Sequence, residues 1–337
     1  MLSTPRKIAL VGTGAWGTAL AVHGVNAGLS VSLLGRRPEL VARLLETHEH
    51  PALAGAPPLP GALDITLDAE RAFAGADAVL WAVSVQATGK EMERLRPFLP
   101  AGVPQVATSK GIEVGSRRRI TQVMAEVQGS TSGLAILSGP TFALEVARAL
   151  PAAAVVASYE PSVSLFLQEL LSSPTLRIYR SEDVAGVEIA GAAKNVIAIA
   201  AGLVDGLELG QNTRAALLTR ALAEIRRLGT KLGGSPETFS GLAGTGDLIL
   251  TATGNLSRNR RVGLALAKGA TLAEALASLG GEVAEGVATT PAILEVAREA
   301  GVEMPIAEMV GRILSGSVAP REAVRALMTR GLKEEKG

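Results

Sequence analysis

Lys194 and Asn195 stand in the middle of DVAGVEIAGAAKNVIAIAAGL, the stretch from Asp183 to Leu203, among residues that are otherwise nearly all apolar or small. That composition predicts a helix apolar on every side, and such a helix is buried. A buried ammonium costs several kcal/mol unless it is paired, hydrogen-bonded or neutralised. Lys194 is therefore a satisfied ion pair, a long side chain reaching a nearby surface, or an amine kept for chemistry. Two further polar groupings follow in the chain. Asp247 and Thr251 are four apart, so both face one side of a short helix. Ser257 reads as the N-cap of a helix over 258–268, which puts Arg258 and Asn259 at a helix N-terminus, where phosphate binds well. A solvated basic helix start is the alternative for that arginine. No metal site is expected: His48-Glu49-His50 precedes a Pro-rich loop and lacks the i, i+4 spacing of a helical zinc site.

The elements that must position these groups begin with a nucleotide-binding pattern. Residues 6–11 read as an apolar strand, Gly12, Gly14 and Gly17 follow at G-x-G-x-x-G spacing, and a helix runs from Ala15 to about Ala27. Gly12 permits the tight turn, Gly14 lets backbone approach a pyrophosphate, and Gly17 allows close helix packing. This context predicts dinucleotide binding, against the alternative of a turn made for packing only. After a second strand, Val31–Leu34, an NAD-specific site carries an acidic residue. Arg36 and Arg37 stand there instead, so a 2′-phosphate and NADP(H) are preferred, with a solvated arginine pair as the alternative.

Strands are predicted at 78–83, 103–107 and 134–137, with helices at 90–98 and 118–127. This alternation indicates a Rossmann-like, doubly wound, mostly parallel sheet. Its carboxyl ends carry Ser84, then Ser109-Lys110-Gly111, then Ser138-Gly139-Pro140-Thr141, where ligands bind in such folds. A helix over 142–149 and two β-like pieces, 153–158 and 176–179, close this part. Beyond Arg180 the pattern turns helical: 183–203, 212–228, 258–268, 272–278, 290–299, 306–314 and 320–328, with a frayed tail from Lys333 to Gly337. The expected division is a dinucleotide-binding domain at 1–180 and an all-α domain at 181–337.

The 337 residues are 47% hydrophobic, ample for a core, and the net charge of +1 exerts no global pull on nucleic acid. Basic residues cluster only at 117–119 and 258–261. Zero cysteines exclude disulfides and thiolate chemistry and fit a reducing compartment. The N-terminal MLSTPRK with its apolar continuation imitates a signal peptide, but the glycine pattern inside the run argues against one. Glu188 and Lys194 interrupt the one long apolar segment, so no integral membrane association is expected.

Taken together, GTGAWGTALA, SKGIE, SGPTFALE, KNVIAIAAG, GLAGTGDLILTATGNLSRNR and VAEG resemble bacterial NAD(P)-dependent glycerol-3-phosphate dehydrogenase over nearly the whole chain. Thr245, between Gly244 and Gly246, is a small departure where many relatives carry a larger apolar residue. The resemblance implies hydride transfer between NAD(P)H and C2 of dihydroxyacetone phosphate, giving sn-glycerol 3-phosphate for glycerophospholipid synthesis. It implies Lys194 as catalytic acid/base, with Lys110 and Asp247 also catalytic and Lys110 touching both cofactor and substrate. Substrate would be held by Lys110, Gly139, Thr141, Lys194, Asp247, Ser257, Arg258 and Asn259. The cofactor would meet Gly12, Gly14, Ala15, Trp16, Gly17, Arg36, Arg37, Lys110, Ala143, Arg258, Val283 and Glu285. A cytoplasmic homodimer is implied, with NADP(H) preferred and NAD(H) usable. Burial would lower the pKa of Lys194 and Asp247 would raise it, and sequence leaves the balance open. A related hydroxy-acid reductase and a non-catalytic NADP(H) sensor, in which Lys194 is structural, stand as alternatives.

Overall fold

The computed structural model describes residues 6–332, 334 and 335. The leader-like Met1–Pro5 and, of the expected tail, Lys333, Lys336 and Gly337 lie outside the described residues. Eight strands form one sheet: β1 Lys7–Val11, β2 Ser30–Leu34, β3 Asp64–Thr66, β4 Ala78–Trp81, β5 Gln105–Ala107, β6 Leu134–Ser138, β7 Ala152–Ser158 and β8 Leu176–Ser181. Their order is β3-β2-β1-β4-β5-β6-β7-β8, and every pairing is parallel except β6 with β7. Strand residues alternate between two cores. Ile8, Leu10, Val31, Leu33 and Leu80 pack with Leu20, Leu44 and Leu167, whereas Ala9, Val11, Val79 and Trp81 pack with Phe73, Met92 and Met124. Helices therefore cover both faces, the doubly wound arrangement expected of buried parallel strands. The three-residue β3 was not foreseen, because so short a strand leaves no period to read.

Helix boundaries moved where proline or glycine misleads. The helix expected over 90–98 runs from Val85 to Leu95, and Pro97 confines the remainder to a short 3-10 turn. The helix expected from Thr290 begins at Glu285 and contains Pro291, a proline that imitates a helix start. Among the described residues no strand follows Ser181.

The central helix, Val184–Gly206, joins the two regions. Val184 and Val187 pack under the sheet, while Ile189, Ala193, Val196, Ile199 and Leu203 enter a third core built by the later helices. By length and composition it is apolar enough to cross a membrane, yet its apolar window is wholly buried inside the protein. Asp183 caps it, accepting from Gly186 N at 2.8 Å, and its other oxygen takes Ser235 N and Thr238 Oγ1 at 2.8 and 2.6 Å. Buried Glu188 accepts from Thr121 N at 2.7 Å and Thr121 Oγ1 at 3.0 Å and pairs with Arg119. Arg117 reaches Glu295 and Glu299, and Arg118 pairs with Glu126, so the 117–119 basic run pins the segment after Lys110 to its surroundings.

The central helix crosses Arg258–Ala267 at very short range. A Cβ on Gly202 would lie 2.1 Å from the Arg260 carbonyl oxygen, and one on Gly263 would lie 2.1 Å from that of Ile199. Backbone cannot give way as a flexible side chain can. Gly263→Ala is expected to cost about 1–3 kcal/mol of stability by overpacking. Urea unfolding measures this, and an unshifted midpoint would show that the two helices can separate freely.

Candidate functional site

The carboxyl ends of β1, β4 and β5 open into a cavity of about 510 Å³ that the helical region closes from the other side. Its wall includes Gly14, Ala15, Trp16, Ser84, Ser109, Lys110, Thr141 and Ala143 from the sheet side. From the helical region Lys194, Asn195, Asp247, Thr251, Ser257, Arg258, Asn259, Val283 and Glu285 also line it. The groups that sequence placed far apart thus meet in one volume of ordinary ligand size.

The glycine turn divides its tasks as its spacing predicts. Gly12 has φ +114°, and a Cβ there would sit 2.6 Å from the Ala82 carbonyl oxygen. A Cβ on Gly17 would lie 2.1 Å from the Gly12 carbonyl oxygen, so that glycine serves packing. Gly14 differs: its φ of −75° suits any residue, and a Cβ there would meet nothing within 4 Å. The space above Gly14 is a cradle at the N-terminus of the Ala15–Asn26 helix, and it fits a pyrophosphate against the helix N–H groups. Behind the turn, buried His50 bonds the Thr13 carbonyl oxygen through Nε2 at 3.0 Å and accepts from Ala52 N through Nδ1 at 3.1 Å. Both ring nitrogens are thereby committed to backbone. No sequence signal pointed to this buttress.

At the opposite end lies a buried charge cluster. A single π-helical turn, Leu242–Gly246, delivers Asp247 to the start of the Asp247–Thr253 helix. Asp247 Oδ1 accepts from Lys194 Nζ at 2.8 Å, and its Oδ2 accepts from Lys110 Nζ at 2.6 Å. Lys194 Nζ also donates to Thr251 Oγ1 at 2.7 Å, and Thr251 Oγ1 donates on to Asp247 Oδ1 at 3.2 Å. Lys110 Nζ also donates to the Gly139 carbonyl at 2.9 Å. Each ammonium has three donors, so each keeps one beyond these protein contacts.

Burial lowers the pKa of Lys194 to about 8; Asp247 opposes that shift and Lys110 reinforces it. The balance that sequence left open falls to desolvation. Burial alone would raise the Asp247 carboxyl, but Lys110 and Lys194 hold it below the usual carboxylate range. Glu285, at the head of Glu285–Ala300, is raised by burial against the pull of Arg258, Lys194 and Lys110.

Asparagine amides tie these elements together. Asn195 Nδ2 donates to the Lys110 carbonyl at 3.2 Å, and Asn259 Nδ2 donates to Asn195 Oδ1 at 3.0 Å. Gly286 N donates to Asn259 Oδ1 at 2.9 Å. Arg260 clamps the same helix through Asp205, with Nε and NH2 at 2.9 and 2.7 Å from Oδ2. Ser257 caps it as predicted, accepting from Arg260 N at 3.2 Å. Arg258, its first residue, lines the cavity, as does Arg261, which reaches Glu282 at 3.4 Å.

Some expected site residues stand outside this wall. Gly12 and Gly139 shape turns, Gly17 packs the helix against the glycine turn, and Gly139 offers its carbonyl to Lys110. Arg36 and Arg37 follow β2 beyond the lining, with Arg36 NH1 2.9 Å from Glu91 Oε1. Asn195 and Thr251 were not named as site residues from sequence, although an asparagine in an apolar helix and a threonine one turn after Asp247 were signals in plain view.

The chain matches the family models for the N-terminus and C-terminus of NAD-dependent glycerol-3-phosphate dehydrogenase over residues 7–164 and 183–325. It is 45% identical over 324 residues to a glycerol-3-phosphate dehydrogenase [NAD(P)+] of Moorella thermoacetica, covering 96% of each chain. To that of Geobacter sulfurreducens it is 45% identical over 332 residues, covering 98% of this chain and 99% of the relative. The crystal structure of glycerol-3-phosphate dehydrogenase from Coxiella burnetii superimposes with a TM-score of 0.91 at 37% identity, covering 97% of this chain and 99% of that one.

The open space at Gly14 carries a direct test. Gly14→Val is expected to leave thermal unfolding unchanged while weakening dinucleotide binding about tenfold or more, equivalent to about 1.4 kcal/mol. Fluorescence titration with NADPH reads this out; unaltered affinity would show that the dinucleotide does not approach the turn.

Proposed function

The chain belongs to the NAD-dependent glycerol-3-phosphate dehydrogenase family, and on that premise we propose that Lys194 is the acid and base of its reaction. The protein interconverts dihydroxyacetone phosphate and sn-glycerol 3-phosphate, and both NADP(H) and NAD(H) fit it as cofactor. The nicotinamide, when bound, supplies or takes the hydride at C2. What the chain's own residues must do is hold the substrate, keep water out and move one proton at its oxygen.

The observation that carries the proposal is the buried ammonium of Lys194, held by Asp247 and Thr251 with one donor in hand, in the same cavity as the glycine turn. Negative charge grows on the carbonyl oxygen during reduction, and that remaining N–H neutralises it and delivers the proton. Asp247 keeps the ammonium aimed, while Lys110 adds positive charge and limits how basic Lys194 becomes. In the reverse direction neutral Lys194 takes the proton from the hydroxyl.

Arg258, with Asn259 and the N–H groups of the helix that Ser257 caps, is proposed to hold the substrate phosphate. Binding energy from that non-reacting group then positions the carbonyl. Thr141 lines the same cavity and completes the proposed substrate contacts. Ala15, Trp16, Ala143, Val283 and Glu285 are proposed cofactor contacts, and their place in the lining supports this. NADPH is proposed as the preferred cofactor through Arg36 and Arg37. A division into a dinucleotide-binding domain at 1–180 and a catalytic domain at 181–337 is proposed, supported by the end of β8 at Ser181 and the separate helical core. A cytoplasmic homodimer serving glycerophospholipid synthesis completes the proposal and rests on the family resemblance.

The pKa near 8 sets the sign of the pH dependence. Reduction needs the ammonium, which is present below that value, so kcat for dihydroxyacetone phosphate falls as pH rises through it. Oxidation needs the free amine and falls as pH drops through the same value. Lys194→Ala is expected to remove this step and lower kcat by about 10²–10⁴-fold with NADPH binding retained. A variant keeping more than about a tenth of the wild-type kcat would refute the acid role.

Arg258→Ala is expected to lower kcat/KM for dihydroxyacetone phosphate by roughly 10–150-fold, or about 1.5–3 kcal/mol. Arg258→Lys should recover only part of that, because an ammonium lacks the planar fork. Unphosphorylated dihydroxyacetone, used poorly by the wild type, should be scarcely worsened. Equal losses on both substrates would move the phosphate away from Arg258.

A further inference from the structure

Glu91 lies far in sequence from the end of β2 but meets it in space. Its carboxylate, on the Val85–Leu95 helix, takes Arg36 NH1 on Oε1 at 2.9 Å. On Oε2 it takes Arg94 Nε and NH2 at 3.1 and 2.8 Å. Its side chain is only 9% exposed, whereas that of Arg36 is 68% exposed. Arg36 is thus anchored by one edge of its guanidinium and offers the remainder to solvent at the place where a dinucleotide fold meets the adenosine ribose.

We propose that Glu91 is the specificity-determining residue that tempers the NADP(H) preference and keeps NAD(H) usable. The inference rests on the reading that Arg36 meets the 2′-phosphate. An acidic side chain just after β2, at residue 35, would force its neighbours to shift, because a Cβ on Gly35 would lie 2.3 Å from Val41 Cγ2 and 3.0 Å from Thr13 Cγ2. The carboxylate that weighs on cofactor choice arrives instead across the sheet edge. Both Glu91 oxygens are taken by guanidinium groups, so its effect on the ribose is exerted through Arg36. A 2′-phosphate must share that guanidinium with a carboxylate of the same sign, and the two repel across it. A 2′-hydroxyl carries no charge and meets no such opposition. Glu91 also spares Arg36 part of the side-chain entropy lost on binding, a gain for either cofactor that leaves the ratio between them alone.

Glu91→Gln preserves the size and one acceptor oxygen while removing the charge. The ratio of kcat/KM for NADPH over NADH is expected to rise about tenfold, through KM for NADPH rather than kcat. The gain should shrink in high salt, which a loss of packing would not do. Glu91→Asp, which draws the carboxylate back from Arg36, should move the ratio the same way by less, and it serves if the glutamine variant fails to fold. In an Arg36→Ala background the Glu91→Gln shift should vanish. If Arg36→Ala lowers NADPH selectivity while Glu91→Gln leaves it unchanged or reduces it, the role of Glu91 is overturned and the Arg36 reading stands. If Arg36→Ala leaves the ratio unaltered, the Arg36 reading itself is wrong and this inference goes with it.

Discussion

Two ammonium groups share one carboxylate at the centre of this molecule, and the other parts of the site are arranged around that fact. Lys110 comes from the loop after β5, Lys194 from the middle of the central helix, and Asp247 from the start of the helix that follows a π-helical turn. Removing either lysine leaves part of a buried carboxylate uncompensated, and removing Asp247 leaves two cations facing each other. The cluster therefore holds only when sheet, central helix and the 242–253 segment are in register.

The packing beside this charge cluster is close. Glycine pairs bring the central helix and the 258–267 helix to backbone contact, and Asn195 and Asn259 bridge them to the Lys110 loop and to Gly286. An amide presents a donor and an acceptor without adding charge, so these two residues tie four segments together beside a cluster that already carries net positive charge. The same helix presents Arg258 to the cavity while Arg260 is spent on Asp205. Neighbouring arginines thus divide, Arg258 and Arg261 lining the cavity and Arg260 holding the frame.

The two ends of the cavity follow different physical rules. Around Gly14 the requirement is room, and the structure leaves it empty of side chains. Around Lys194 the structure holds a desolvated, hydrogen-bonded amine, and burial brings its pKa to about 8. At the edge, the Arg36 side chain is mostly exposed while the Glu91 carboxylate that holds it is largely buried.

Much of this was legible in the order of residues alone. Alternating apolar strands and polar turns define a doubly wound sheet, glycine spacing marks the dinucleotide turn, and a lysine in an apolar helix announces its own anomaly, because each is a local pattern with a local physical cause. The capping role of Ser257 and the shared face of Asp247 and Thr251 were readable for the same reason. Only the tertiary structure decided that Asp247 would serve two lysines, that desolvation would outweigh its charge on Lys194, that His50 would brace the Thr13 carbonyl, and that Glu91 would hold Arg36. Those outcomes join residues from 37 to 137 positions apart. Their energies depend on separation and local dielectric, which the folded chain sets and a linear pattern does not contain.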